Sequence, residues 1–192
     1  MMKTLILAST SPYRKRLLER LGLPFSCLAP GIDEQAKAGE TPASLAERLA
    51  DEKARAVAKL HPEATVIGSD QVASLQGQLL GKPGNHERAR TQLKACSGNT
   101  VVFHTAIAML APNLALHHVE PFSVSFRQLS DTAIEHYLQR DRPYDCAGSF
   151  KWESLGIALF ERLSGDDPTS LEGLPLIALT KMLERAGHPV LA

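Results

Sequence analysis

The chain has 192 residues, 44% of them hydrophobic and 22% charged, the balance of a folded globular protein with a sizeable core. Lysine plus arginine equals aspartate plus glutamate at 21 each, which argues against binding nucleic acid or a membrane surface by general electrostatics and leaves room for a local cluster that holds a small anion. No apolar run approaches membrane-spanning length, and the three distant cysteines form no CxxC or zinc spacing.

Met1-Met2-Lys3 opens the chain without a signal-peptide core, and Cys27, Cys96 and Cys146 read as free thiols, so a cytoplasmic location is expected. Leu5 to Ala8 reads as a buried strand. Pro12 to Leu21 reads as a helix capped by Ser11, with Leu17, Leu18 and Leu21 on one face. A short strand is predicted around Phe25 to Ala29. A helix then starts at Pro42 behind the Thr41 cap, with an apolar stripe at Leu45, Leu49, Ala56 and Leu60. Thr65 to Gly68 reads as a strand, and Val72 to Leu75 with Gln78 to Leu80 as a hairpin around Gly77. A helix from Asn85 or His86 closes at Gly98. Thr100 to Leu110 and Val119 to Gln128 read as antiparallel strands, with His117-His118 in the loop between; all seven histidines read as structural or surface residues. Ser130 caps a helix through Leu138, Phe150 to Phe160 holds a strand or two, and Pro175 to Ala186 is the last helix. The pattern predicts a single α/β domain over 1–192. Its mixed twisted sheet is flanked by helices, with two lobes around a central cleft.

Several segments carry residues suited to chemistry. Arg14, Lys15 and Arg16 stand in the first turns of a helix, where the partial positive charge of the helix end disfavours cations. An anion held by Ser9, Ser11 and Arg14 resolves that conflict, and a solvated basic face is an equally good reading. Asp70, in Gly68-Ser69-Asp70-Gln71, follows a buried strand, which suits either catalysis or a turn cap. Lys82, in Gly81-Lys82-Pro83, points toward the same region if the hairpin folds back. Asp33-Glu34 lies in an acidic loop that could hold a divalent metal with Asp70 or simply be solvated. Lys53 sits mid-helix beside Glu52, where an i,i+4 ion pair is the plain alternative. Cys146 to Glu153 gathers small residues, Lys151, the only tryptophan and an acid, and Gly173-Leu174-Pro175-Leu176 reads as a helix entry.

Taken together these motifs resemble the Maf family of nucleoside triphosphate pyrophosphatases, whose fold is shared with inosine triphosphatases, from about Lys3 to Gly187. The matching segments are Leu-Ala-Ser-Thr-Ser-Pro-Tyr-Arg-Lys from Leu7, Gly31-Ile32-Asp33-Glu34, Glu52-Lys53-Ala54, Gly68-Ser69-Asp70, Gly81-Lys82-Pro83, Ala147-Gly148 and Gly173-Leu174-Pro175-Leu176. The resemblance implies hydrolysis of a nucleotide between its α and β phosphates, with Mg2+ or Mn2+ as cofactor. It places Ser9, Arg14, Glu34, Lys53, Asp70 and Lys82 on the family's active-site positions, with Asp70 as proton acceptor. Glu34 and Asp70 are the expected metal ligands, and Arg14, Lys53 and Lys82 the cations for phosphate oxygens.

Tyr13, Gln71 and Glu153 depart from the family members thought to act on dTTP and UTP, and resemble the subgroup that acts on 7-methyl-GTP. A methylated guanine ring is cationic, so stacking on Tyr13 or Trp152 gains roughly 0.5–2 kcal/mol. Glu153 suits the paired N–H groups of guanine, whereas uracil or thymine presents one N–H between two carbonyls. A core tryptophan and a surface acid are the plain reading of the same residues. The alternatives are hydrolysis of dTTP or UTP, and a non-catalytic nucleotide-binding regulator of septum formation. The expected partner is a nucleotide, with no nucleic acid and no membrane; a homodimer through an exposed apolar strand is allowed.

Overall fold

The computed structural model describes residues 4–191; Met1, Met2, Lys3 and Ala192, including the first residue of the expected family match, lie outside the described residues. In chain order the elements are β1 (Leu5–Leu7), α1 (Pro12–Glu19), β2 (Ser26–Cys27), α2 (Pro42–Ala58), β3 (Thr65–Leu75), β4 (Gln78–Leu80), α3 (His86–Cys96), β5 (Thr100–Ala111), β6 (Leu114–Phe126), α4 (Asp131–Asp141), β7 (Phe160–Ser164) and α5 (Leu176–Ala186). The strands form one sheet in the order β2-β1-β3-β5-β6-β7, with β4 also on β3. β1 runs parallel to β2 and β3, and every other pairing is antiparallel.

Strand periodicity builds two layers on one half of the sheet. Leu5, Leu7 and Ile67 point to one face, where they pack with Leu17, Leu18, Leu179 and Leu183 of α1 and α5. Ile6, Ala8, Val66 and Val72 point to the other, against Leu45, Leu49, Ala50 and Ala54 of α2. The far ends of β3, β5 and β6 form a second core with α3 and α4, centred on Phe103, Phe126, Phe150 and Phe160 in edge-to-face contact. The long strands thus join two lobes around a cleft of about 650 Å3.

Four local expectations differ from the structure. Asp70 does not follow the strand but sits inside it, because β3 runs unbroken from Thr65 to Leu75. Its small polar run reads as a turn from sequence, yet each of those residues finds a tertiary partner that keeps it extended. His117 and His118 lie on β6, which starts at Leu114 behind a tight turn with Asn113 in the left-handed region. His117 pairs with Asp51 and His118 with Glu120. Phe150 to Leu159 is short helical turns and irregular chain, and β7 begins only at Phe160. The α2 stripe runs through Ala50, Ala54 and Val57, while Leu60 lies exposed beyond the helix end.

Candidate active site

The cleft opens where β3 loses a neighbour. β5 covers one edge of β3 from Val66 to Leu75. The other edge meets β1 at 65–67 and β4 only from Ala73 onward. Asp70 lies in the gap between. Gly68, two residues earlier and on the same face, allows α2 to approach the sheet: a Cβ there would stand 2.1 Å from the Ala50 carbonyl oxygen and 2.6 Å from the Ala54 nitrogen. That approach delivers Lys53 of α2 to Asp70. Both are buried, and Lys53 Nζ is 2.6 Å from Asp70 Oδ1 and 2.8 Å from Glu34 Oε1.

Glu34 is more than half exposed and comes from the loop after β2. Arg48 of α2 fixes that loop by pairing with Glu40 and Glu52 and donating to the Gln35 carbonyl. Two carboxylates therefore converge on one ammonium at the cleft. Their donors are all oxygen, which suits a hard cation such as Mg2+ or Mn2+ sharing its shell with phosphate oxygens and water.

The segment after β1 supplies the expected phosphate contacts. Ser9 is buried and its hydroxyl accepts from the Ser11 N–H at 3.1 Å, while the Ser11 hydroxyl caps α1 through the Arg14 N–H. Arg14 Nε donates to the Gly173 carbonyl at 2.9 Å. Burial lowers the guanidinium from its ordinary range, opposed by Asp70 and Glu34 nearby. Lys82 is exposed on the cleft lining. It follows β4 by two residues, just past the Ala73–Leu80 pair that ends the β3–β4 ladder.

The opposite face of β3 does something the sequence did not disclose. Ser69 donates to the Gly173 carbonyl at 2.9 Å. The Gln71 side-chain amide donates to the carbonyls of Ser170 and Leu171 at 2.6 and 3.2 Å, and lies 3.1 Å from the Thr105 hydroxyl. Thr105, cross-strand from Gln71 on β5, donates to Ser170 at 2.9 Å. These side chains hang the turn Pro168–Gly173 from the sheet. Asp167 closes the turn below: it accepts from Thr169 through Oδ1 and from the Ile177 N–H at 2.7 Å through Oδ2, so it also caps α5. Pro175 was expected at the first helical position and instead stands at the cap.

A third group of lining residues is acidic and aromatic. Tyr13 lies 3.5 Å from Asp145 Oδ2 and 4.0 Å from Cys146 Sγ. Burial, then Cys146 and Asp145, push its phenol up; burial and then Asp145 push the Cys146 thiol up to about 12. Trp152 packs on the second core, and its buried Nε1 has no protein partner among the described residues. Glu153 is exposed, and Glu172 on the hung turn is half-buried. Burial and the nearby Glu153 raise the Glu172 carboxyl, countered by Arg20 and Arg16. All the expected site residues line this one cleft. Asp145, Glu172 and the Thr105 support were not foreseen, because no local pattern marks residues that meet only through the tertiary fold.

A family model described as Maf-like protein matches residues 4–186. A Nitrosococcus oceani protein named 7-methyl-GTP pyrophosphatase is 57% identical over 190 residues, covering 98% of this chain and 96% of that one. A Xanthomonas axonopodis pv. citri protein of the same name is 55% identical over 189 residues, covering 98% and 100%. A solved HAM1 protein from Coxiella burnetii aligns over 96% of this chain and 100% of its own with a TM-score of 0.54 at 17% identity, a likeness of fold alone.

Proposed function

The chain belongs to the Maf-like protein family, and from that premise we propose that it hydrolyses 7-methyl-GTP to 7-methyl-GMP and pyrophosphate. The observation that carries the reading is the division of the cleft into two chemistries. Arg14, Lys53, Asp70 and Glu34 interact with one another. Tyr13, Asp145, Glu153 and Glu172 form a separate acidic and aromatic group. A nucleotide with an anionic tail and a cationic base matches both. Aromatic faces attract the methylated ring, and a carboxylate accepts both guanine N–H groups.

Asp70 serves as general base. Its Oδ1 is held by Lys53, and among the described residues no donor reaches Oδ2, which is left to orient an attacking water and accept its proton. Arg14, fixed through Nε, keeps its terminal nitrogens for phosphate oxygens. Lys82 stands at the rim as a further cation. Glu34 and Asp70 would hold Mg2+ or Mn2+, which neutralises charge on the polyphosphate when bound. The free thiols Cys27, Cys96 and Cys146 support a reducing, cytoplasmic setting.

The test is a nucleotide screen with the purified protein, scoring pyrophosphate release with Mg2+ and after chelation. Preference for 7-methyl-GTP over GTP, dTTP and UTP, lost on chelation, is expected. Preference for dTTP or UTP overturns the base assignment, and no turnover of any nucleotide overturns the enzyme.

A further inference from the structure

Arg14 is not aimed by its own helix. Its Nε is held by the Gly173 carbonyl, 159 residues away, and that carbonyl also accepts from Ser69. Gly173 itself has φ near 103°, a conformation suited to glycine, and a Cβ there would stand 3.3 Å from Arg14 Nε. The carbonyl's position is set by Ser69 and by the turn before it. That turn is hung on the sheet by Thr105 and Gln71.

Thr105 is fully buried in the middle of β5, where a polar side chain costs stability unless both its donor and its acceptor are used. Here both are: the hydroxyl donates to Ser170 and accepts from the Gln71 amide. The Gln71 amide nitrogen shares its two N–H groups among three acceptors of this network, Ser170, Leu171 and Thr105, so it helps to hold the turn. Ser69, Gln71 and Thr105 all project from one face of the sheet, and Asp70 projects from the other, toward Lys53. The strand alternation separates the group that performs chemistry from the groups that hold the clamp.

We infer that Thr105 is a positioning residue of the reaction: with Gln71 it fixes the Ser170–Gly173 turn, whose Gly173 carbonyl orients the Arg14 guanidinium toward the substrate phosphates. The inference rests on the reading that Arg14 binds those phosphates. Small displacements of such a clamp are costly: a shift of about 1 Å lowers rates by up to about a hundredfold.

Three variants test it: Thr105→Val, which keeps shape and removes the hydroxyl, Thr105→Ser, which restores it, and Arg14→Ala. With 7-methyl-GTP as substrate, Thr105→Val should lower kcat/KM about tenfold or more, and Thr105→Ser should return it to within about threefold. Because the residue acts through Arg14, adding Thr105→Val to Arg14→Ala should cost no more than about twofold further. Full activity of Thr105→Val, or an undiminished loss in the Arg14→Ala background, overturns the inference while leaving the phosphate role of Arg14 intact. An Arg14→Ala protein with full activity overturns both. If Thr105→Val lacks a cooperative melting transition, Gln71→Met, which removes the amide donors to the same turn from a partly buried position, takes its place in the cycle: it should lower kcat/KM about tenfold or more alone and cost no more than about twofold further in the Arg14→Ala background.

Discussion

Lys53 and Asp70 form a buried ion pair, Nζ to Oδ1 at 2.6 Å, across 17 residues of sequence and two elements. Lys53 stands on the inner face of α2 and Asp70 in the one stretch of β3 whose outer edge carries neither β1 nor β4. The pair fixes one carboxylate oxygen of a residue that lines the cleft.

Asp70→Asn keeps the shape and removes the base. Activity on 7-methyl-GTP should fall by about 10²–10⁴-fold. Pyrophosphate release by a protein with an unchanged circular dichroism spectrum is the measurement, and turnover at the unmodified rate would sink the assignment.

Glu153→Gln should shift base preference. A carboxylate accepts two guanine N–H groups but faces two carbonyls across uracil, whereas an amide suits the uracil edge. The ratio of kcat/KM for UTP over 7-methyl-GTP should rise by about tenfold or more, since each 1.4 kcal/mol is tenfold. An unchanged ratio removes Glu153 from base reading.

Gly68→Ala puts a methyl group against the α2 backbone at Ala50 and Ala54. Overpacking of this kind costs roughly 1–3 kcal/mol. The midpoint of thermal unfolding should drop, and kcat should fall even at temperatures where the variant is folded, because α2 moves Lys53 away from Asp70. A variant that melts like the parent would show that the close approach is not required.

The loop that carries Glu34 should respond to acid through Glu40. Its bond to Arg48, helped by the Lys37 N–H, lowers the carboxyl from 4.5 to about 2. A depressed carboxyl contributes stability that is fully present above its ordinary value and is lost as pH falls toward the folded one. Urea unfolding of the protein and of Glu40→Gln should therefore differ by a constant amount from pH 7 to about 5 and converge between about pH 4.5 and 2. A difference that grows on acidification would contradict the pairing.

Much of this protein was legible in its sequence because the signals are local. A continuous apolar run marked β1 and longer strand-like runs the β5–β6 pair, caps at Ser11, Thr41 and Ser130 started their helices, and Arg14, Glu34, Lys53, Asp70 and Lys82 stood in motifs whose order is informative. Other features were decided by tertiary structure alone. Gly68 to Gln71 looked like a turn because small polar residues seldom stay extended unaided; α2, the Gly173 turn and Thr105 supply the partners that keep them in the strand. Asp167, ten residues before the N–H it caps, and Thr105, sixty-five residues before the carbonyl it holds, carry no neighbouring pattern at all. Periodicity and capping report what a segment does with its own backbone. A buried hydrogen bond between distant residues depends on where the folded chain brings them, and that is set by packing.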